Sequence, residues 1–232
     1  QVLNLKKLPY RIETYDISNI QGKLAVGSMV VFIDGQPKKS EYRRFKIRLK
    51  QTPDDPHMMR EVLTRRLSYL PPETAGKLRG GVAKKSSDTS FNKTPDLIVI
   101  DGGKAQLNAG VQALKQQRLS IPVVSLAKRN EEIYLSGKHA PLQLSRKSPA
   151  LKLFQHTRDE AHRFAIEFYR KRHQQTSLTS VLDDLPGIGP KTKQTLNKKY
   201  SSIKALISAS KQELVELIGK SKAKTIKTNL RL

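Results

Sequence analysis

Residues 95–104, PDLIVIDGGK, constrain the fold more than any other stretch. Leu97, Ile98, Val99 and Ile100 form an unbroken apolar run, bounded by Pro95 on one side and Gly102-Gly103 on the other. That is the pattern of a short strand buried on both faces. The run ends on a carboxylate, Asp101, and the two glycines turn the chain into a helical pattern starting near Lys104. In an open α/β sheet, ligands sit at the carboxyl ends of strands. A carboxylate at the tip of a core strand costs free energy unless something pairs with it. This stretch alone leaves two readings open: Asp101 caps the next helix, or it belongs to a site.

Charge narrows the field. The 232 residues carry 44 Lys and Arg against 20 Asp and Glu, a formal charge of +24. Such an excess points to a polyanionic partner, nucleic acid first. The alternatives are a merely basic soluble protein or one that lies on anionic lipid. No apolar run reaches the ~18 residues of a bilayer span, and no secretory signal pattern opens the chain. The expectation is a cytoplasmic protein without a membrane partner. The lack of cysteine excludes disulfides, zinc fingers and thiol nucleophiles, and fits a reducing compartment. There is no Trp and only 6% aromatic residues, which disfavours stacking on single-stranded bases. The chain begins at Gln1, so a piece of a longer protein is expected.

Periodicity supplies the element order. Residues 10–17 read as a strand with Ile12, Thr14 and Asp16 on one face and Arg11, Glu13 and Tyr15 on the other. A turn at 19–23 containing Gly22 leads to a second strand at 25–33, and Asp34-Gly35 signals a hairpin into a third at 39–48. TPDD at 52–55 carries helix-start chemistry, with Pro56 as first helical residue of a helix running to about Tyr69. Residues 76–94 have almost no apolar pattern and read as a mobile surface insertion. After the buried strand come a helix over 104–117, a core strand over 123–126 and a small hairpin from 132–135 and 142–144. Ser148-Pro149 opens a long helix reaching about Gln174, and QQTSLT at 174–179 reads as a linker. Residues 180–232 show short amphipathic segments and no strand signal. The expected division is 1–176 and 177–232.

Three antiparallel strands, helix, strand, helix, strand, helix is the element order of the ribonuclease H fold, a mixed sheet flanked by helices. In that fold a carboxylate on the first strand and one at the tip of the fourth lie side by side. Those positions are Asp16 and Asp101 here, and paired carboxylates on neighbouring strands can hold divalent cations for phosphodiester hydrolysis. Asp54 reads as a helix cap, and Asp55 is left open between cap and site. On the long helix, Leu151, Phe154, Ala161, Ala165 and Phe168 share one stripe. His162 falls at the margin of that stripe and His156 on the solvent side, so His162 is the candidate ligand or base. Other chemistries find no support. Gly219-Lys220-Ser221 resembles the end of a phosphate loop, but Leu214 stands where its first Gly is required, and there is no His-Glu-x-x-His.

In the second region LPGIGPKT at 185–192 places Gly187 and Gly189 in a tight turn, with Lys191 and Lys193 beside it. Backbone N–H groups of such a turn, with the helix start that follows, can hold a phosphate. This is the hairpin of a helix-hairpin-helix motif. About 30 residues on, ELIGKSKAKTI is a shortened second copy with Gly219 and Lys222 but no second glycine. The region is therefore expected to be a small all-α tandem helix-hairpin-helix domain that grips duplex DNA.

YDISNIQG, EYRRFKI, DDPHMM, IDGGKAQL, QHTRDEAHRFAI and LPGIGPK, in this order, resemble the C-terminal half of the UvrC family of ABC excinucleases. The resemblance covers nearly the whole chain. It implies a ribonuclease H-like endonuclease joined to a tandem helix-hairpin-helix domain, making the 5′-side incision at a lesion in bacterial nucleotide excision repair. Carried over by motif, the catalytic set is Asp16, Asp101 and His162, with Asp55 a further acidic member. The first three would hold Mg²⁺ or Mn²⁺. Arg43, Arg44 and Lys104 would contact phosphates. The expected substrate is duplex DNA with a lesion, bubble or nick. A UvrB-like helicase is the expected partner, through a segment outside this chain; the family's nuclease that cuts on the 3′ side is likewise outside it. The alternative is a non-catalytic, structure-specific DNA-binding module on a nuclease fold.

Overall fold

The structure, a computed structural model, describes residues 3, 5, 7–18, 25–48, 54–71, 88–128 and 130–230, without the side chains of 168, 169 and 171–176. Contacts divide the chain into two units, 1–165 and 166–232.

The first unit is built on a seven-stranded sheet. Its strands are β1 (Arg11–Ser18), β2 (Val26–Ile33), β3 (Gln36–Pro37), β4 (Arg43–Lys46), β5 (Leu97–Asp101), β6 (Val123–Ala127) and β7 (Glu132–Leu135). The order is β3-β2-β1-β5-β6-β7, with β4 also paired to β2. β1 runs antiparallel to β2 and parallel to β5. β5 and β6 are parallel, and β7 closes the far edge antiparallel to β6. The expected hairpin at Asp34-Gly35 is present, with positive φ at both residues (49° and 72°), the conformation of a tight two-residue turn.

The sheet is covered on both faces, as the apolar run of β5 requires. Ile98 and Ile100 join Tyr15, Met29 and Val31 against α1 (Asp55–Leu67) and α2 (Lys104–Gln116). Leu97 and Val99 join Ile12, Val30 and Phe32 against Leu151, Phe154 and Ala161 of α3 (Pro149–Asp183). α2 lies close on β5 because Gly110 faces it: a Cβ there would meet Ile100 Cδ1 at 2.5 Å.

The α1/α2 face also carries a buried ion network that alternation alone does not foretell. Glu13 accepts from Arg11 Nε at 3.0 Å, Arg66 Nη2 at 2.7 Å and Tyr15 Oη at 2.6 Å. Arg11 reaches on to Glu41, which also takes Lys93 Nζ at 2.7 Å. Burial would raise the Glu13 carboxyl, but the guanidiniums of Arg66 and Arg11 hold it below the usual range. Removing one partner would strand a buried charge, a loss of about 3–5 kcal/mol.

Four expectations need correction. The third strand does not run unbroken over 39–48: Lys39–Glu41 forms a 3-10 turn that sends Glu41 inward to Arg11, and β4 covers only Arg43–Lys46. The insertion over 76–94 is not loose to its end. Thr89–Asn92 forms a 3-10 turn, Phe91 packs on Phe45 and Tyr69, and Arg66 bonds the carbonyls of Phe91 and Lys93 at 2.9 and 2.8 Å. Residues 76–87 lie outside the described residues, as does the turn expected at 19–23. QQTSLT is helical, not a break, because α3 continues to Asp183. It contains no Gly or Pro to stop the helix, and Leu178 and Leu182, one turn apart, are buried. The small second hairpin is present only as β7 and a single bridge between Ile133 and Leu142.

The second unit is all helical beyond α3: α4 (Pro190–Lys199), α5 (Ile203–Ser208), α6 (Lys211–Ile218) and α7 (Lys220–Asn229). Leu178, Leu182, Ile188, Leu196, Leu206, Leu214 and Ile226 form its core. Among the described residues no helix is long and apolar enough to cross a membrane.

Candidate active site

Strand register brings the two carboxylates together. Tyr15 pairs with Ile100 across the parallel β1–β5 ladder, so the next residues, Asp16 and Asp101, stand beside one another at the carboxyl ends. Asp16 shares a strand face with Ile12, and Asp101 with Val99 and Leu97, all three of them in the core packed on α3, so both carboxylates lie on the α3 face. The cap reading of Asp101 does not hold. The N-cap of α2 is Gly103, whose N–H donates to Gln106 Oε1 at 3.1 Å, and the chain turns at Gly102 with φ 143°, which a side chain would resist.

His162 completes the group from α3. Ser28, opposite Asp16 on β2, donates to the Ala161 carbonyl at 3.3 Å and holds that turn of helix over the strand ends. One ligand atom each from Asp16, Asp101 and His162 lies within 4.8 Å of the other two. Ser18 Oγ donates to Asp16 Oδ2 at 2.7 Å and fixes that carboxylate. Among the described residues His162 Nδ1 is buried without a hydrogen-bond partner, 3.8 Å from Asp16 Oδ2, although its side chain is 45% exposed overall. A buried ring nitrogen turned toward two carboxylates is a donor set that fits a hard or borderline divalent cation. His156 stands at the surface with its ring edge-on to Phe32, 5.0 Å between centroids.

The carboxylates are held close at an electrostatic cost. Burial raises the Asp101 carboxyl above the usual range, and the charge of Asp16 adds to it, against a smaller pull from Lys128 and Arg158. Loss of hydration raises Asp55 as well, with Asp16 and then Asp54 adding repulsion. Asp55 stands at the start of α1, outside the three-residue group but near enough to Asp16 for their charges to act. Asp54 is the N-cap, accepting from His57 N at 3.3 Å.

The remaining candidates are dispersed. Lys104 is exposed at the first turn of α2. Arg43 is engaged inside the protein by Asp88, Ser90 and the carbonyls of Ser40 and Tyr42. Arg44 lies over the Phe164 ring at 3.7 Å and bonds its carbonyl. In the second unit Gly187 (φ 76°) forms the first turn and Gly189 caps α4, while Gly219 (φ 85°) both ends α6 and starts α7. Lys222 Nζ donates to Thr192 Oγ1 at 3.0 Å, which puts the first turns of α4 and α7 side by side. Lys193 pairs with Asp183 at 2.7 Å and Lys191 is exposed. One residue beside the carboxylates was not singled out by the sequence: Lys128, whose Nζ is 3.5 Å from Asp101 Oδ2. It follows a short apolar strand. The strand partner of Asp101, Leu126, two residues earlier, is the only signal that could have found it.

Comparison with known proteins places the chain among two families. The family described as UvrC RNAse H endonuclease domain matches residues 1–166, and the SAM-like helix-hairpin-helix tandem family matches 179–231. UvrABC system protein C of Methanosphaera stadtmanae is 44% identical over 99% of this chain and 37% of its own length. That of Fusobacterium nucleatum subsp. nucleatum is 46% identical over 99% and 36%. The chain thus spans little more than a third of the relatives it matches. A solved structure of Ciona intestinalis endonuclease V in complex with DNA overlays with TM-score 0.34 at 15% identity, over 66% of this chain and 57% of that one, too slight a likeness to bear on the reading. The fold is a ribonuclease H-like mixed sheet flanked by helices, followed by an all-α tandem helix-hairpin-helix region.

Proposed function

The chain belongs to the UvrC family, and from that premise we propose that it is a metal-dependent DNA endonuclease making the 5′-side incision at a lesion in nucleotide excision repair. The observation that carries this is the convergence of Asp16, Asp101 and a buried, unpartnered His162 nitrogen at the strand ends. Asp16, Asp101 and His162 Nδ1 would hold the cation, Mg²⁺ or Mn²⁺, with Asp55 adding negative charge from α1. A bound divalent cation polarises the phosphate and favours ionisation of the attacking water. The chain's own residues do the rest. Ser18 keeps the Asp16 carboxylate in one orientation, and Ser28 keeps the His162 turn in place. His162 must be neutral at Nδ1 to act as a donor. In the reaction the water oxygen bonds to phosphorus and one ester P–O bond breaks. The proton lost by the water is matched by one taken up by the departing oxygen.

Affinity for duplex comes from the second region. Gly187, Gly189 and Gly219 open the starts of α4 and α7, where Lys191, Lys193 and Lys222 add charge for backbone phosphates. Residues 1–176 form the nuclease domain and 177–232 the DNA-binding domain, since Leu178 and Leu182 already belong to the second core. A helicase of the UvrB kind is engaged through sequence outside this chain, in the cytoplasm. The test is incision of a lesion duplex carrying a nick or bubble by this chain, with Mn²⁺ and with chelator. Cation-dependent nicking supports the reading. Tight duplex binding with no cleavage under any divalent cation would make the chain a binding module instead.

A further inference from the structure

We propose that Lys128 is a catalytic residue of this site that contacts the scissile phosphate. The proposal rests on the endonuclease reading above. Lys128 directly follows β6, the parallel neighbour of β5, and its Nζ lies 3.5 Å from Asp101 Oδ2 with 55% of the side chain exposed. Its ammonium therefore stands at the solvent lip of the acidic group, the side from which a phosphate must arrive.

A stabilising role accounts for little of this placement. The Lys128 end of the pair is more than half exposed and so screened by solvent, and 3.5 Å is long for a charge-assisted hydrogen bond. The charge balance accounts for more. Asp16, Asp101 and the nearby Asp55 are all acidic, so one divalent cation leaves the site with an excess of about one negative charge. The phosphodiester brings a further negative charge, and its transition state gains another. A positive group aimed at the phosphate oxygens offsets charge where it develops. Among the described residues, Lys128 is the cation that the structure places in ion-pair range of the Asp16–Asp101–His162 group. Once Asp101 shares its charge with a metal ion, the flexible stem of Lys128 is free to exchange that carboxylate for a phosphate oxygen.

The surroundings hold its backbone in position. Three residues on, Glu131 accepts from Arg158 Nη1 at 2.7 Å. Arg158 is buried on α3, one turn before His162, and also bonds Asp159 at 3.0 Å. The chain just beyond Lys128 is thereby tied to the helix that supplies the third ligand.

The experiment compares wild type, Lys128→Met, Lys128→Arg and Asp101→Asn on one nicked lesion duplex at saturating Mn²⁺. Mn²⁺ affinity without DNA is followed by the electron paramagnetic resonance of the free ion. Lys128→Met is expected to lower kcat about 100-fold with duplex Kd and Mn²⁺ affinity kept, and Lys128→Arg to recover part of the loss. Unchanged kcat in Lys128→Met while Asp101→Asn is dead would overturn the proposal and leave the endonuclease reading standing. Loss of Mn²⁺ binding in Lys128→Met would also overturn it, since the lysine would then act through the ligands. Cleavage by Asp101→Asn at the wild-type rate, or none by wild type, would overturn the reading and this proposal with it.

Discussion

Replacing Asp101 by Asn should make the metal-free protein more stable while destroying its activity. The ligand oxygens of Asp16 and Asp101 lie within 4.8 Å of one another. Two full charges at that separation, in an effective dielectric near 20, repel by about 3 kcal/mol. Lys128 returns part of this, discounted because its own side chain is half exposed, and burial of Asp101 adds a further cost to its charge. A net gain of about 2 kcal/mol remains for the neutral, nearly isosteric Asn. For a unit of this size that corresponds to a rise in Tm of about 4–8 °C. The assay is thermal unfolding followed by circular dichroism in chelator at neutral pH, with and without added Mn²⁺. The raised Asp101 carboxyl fixes the pH dependence. Its charge destabilises the fold above its folded pKa, and that penalty disappears as pH falls through this pKa and the proton binds. The advantage of Asp101→Asn should therefore shrink on acidification from the upper side of the ordinary carboxylate range. Mn²⁺ should raise Tm in wild type and far less in the variant. A lower Tm for Asp101→Asn in chelator, or an equal Mn²⁺ response in both proteins, would refute the electrostatic reasoning.

Two further outcomes are expected. His162→Ala should lose most of the incision rate and His156→Ala little, because His156 packs on Phe32 at the surface while His162 Nδ1 faces Asp16; an incision assay of the two single variants, matched by duplex binding, checks this. The chain cut after residue 176 should keep its thermal transition, since both core clusters of the sheet are intact, while duplex affinity falls at least about tenfold with the loss of its phosphate contacts; collapse of the transition would place the domain boundary elsewhere.

Much of the site was legible because its elements obey local rules. The run ending at Asp101 reads as an interior strand, and alternation along 10–17 puts Asp16 on the face of Ile12, which in the structure packs with α3. Helical periodicity separated His162 from His156 for the same reason. What escaped did so where long-range pairing overrides pattern. Arg11, Glu13 and Arg66 are buried because they neutralise one another, and nothing in their spacing says so. The 3-10 turn at Lys39–Glu41 exists to deliver Glu41 to that cluster. QQTSLT looked like a linker by composition, yet a stretch without Gly or Pro continues a helix when its own Leu178 and, one turn on, Leu182 are buried. Lys128 was invisible because its role depends on which strand lies beside β6.

The most direct test of the central claim separates cleavage from binding in Asp16→Ala and Asp101→Ala. Ligands of the cation stabilise charge in the transition state, whereas duplex affinity comes from Lys and Arg. Incision of a nicked lesion duplex with Mn²⁺ should be abolished in both variants, with Kd for the same duplex within about twofold of wild type, a few tenths of a kcal/mol. Wild-type turnover by either variant would contradict the two-carboxylate site.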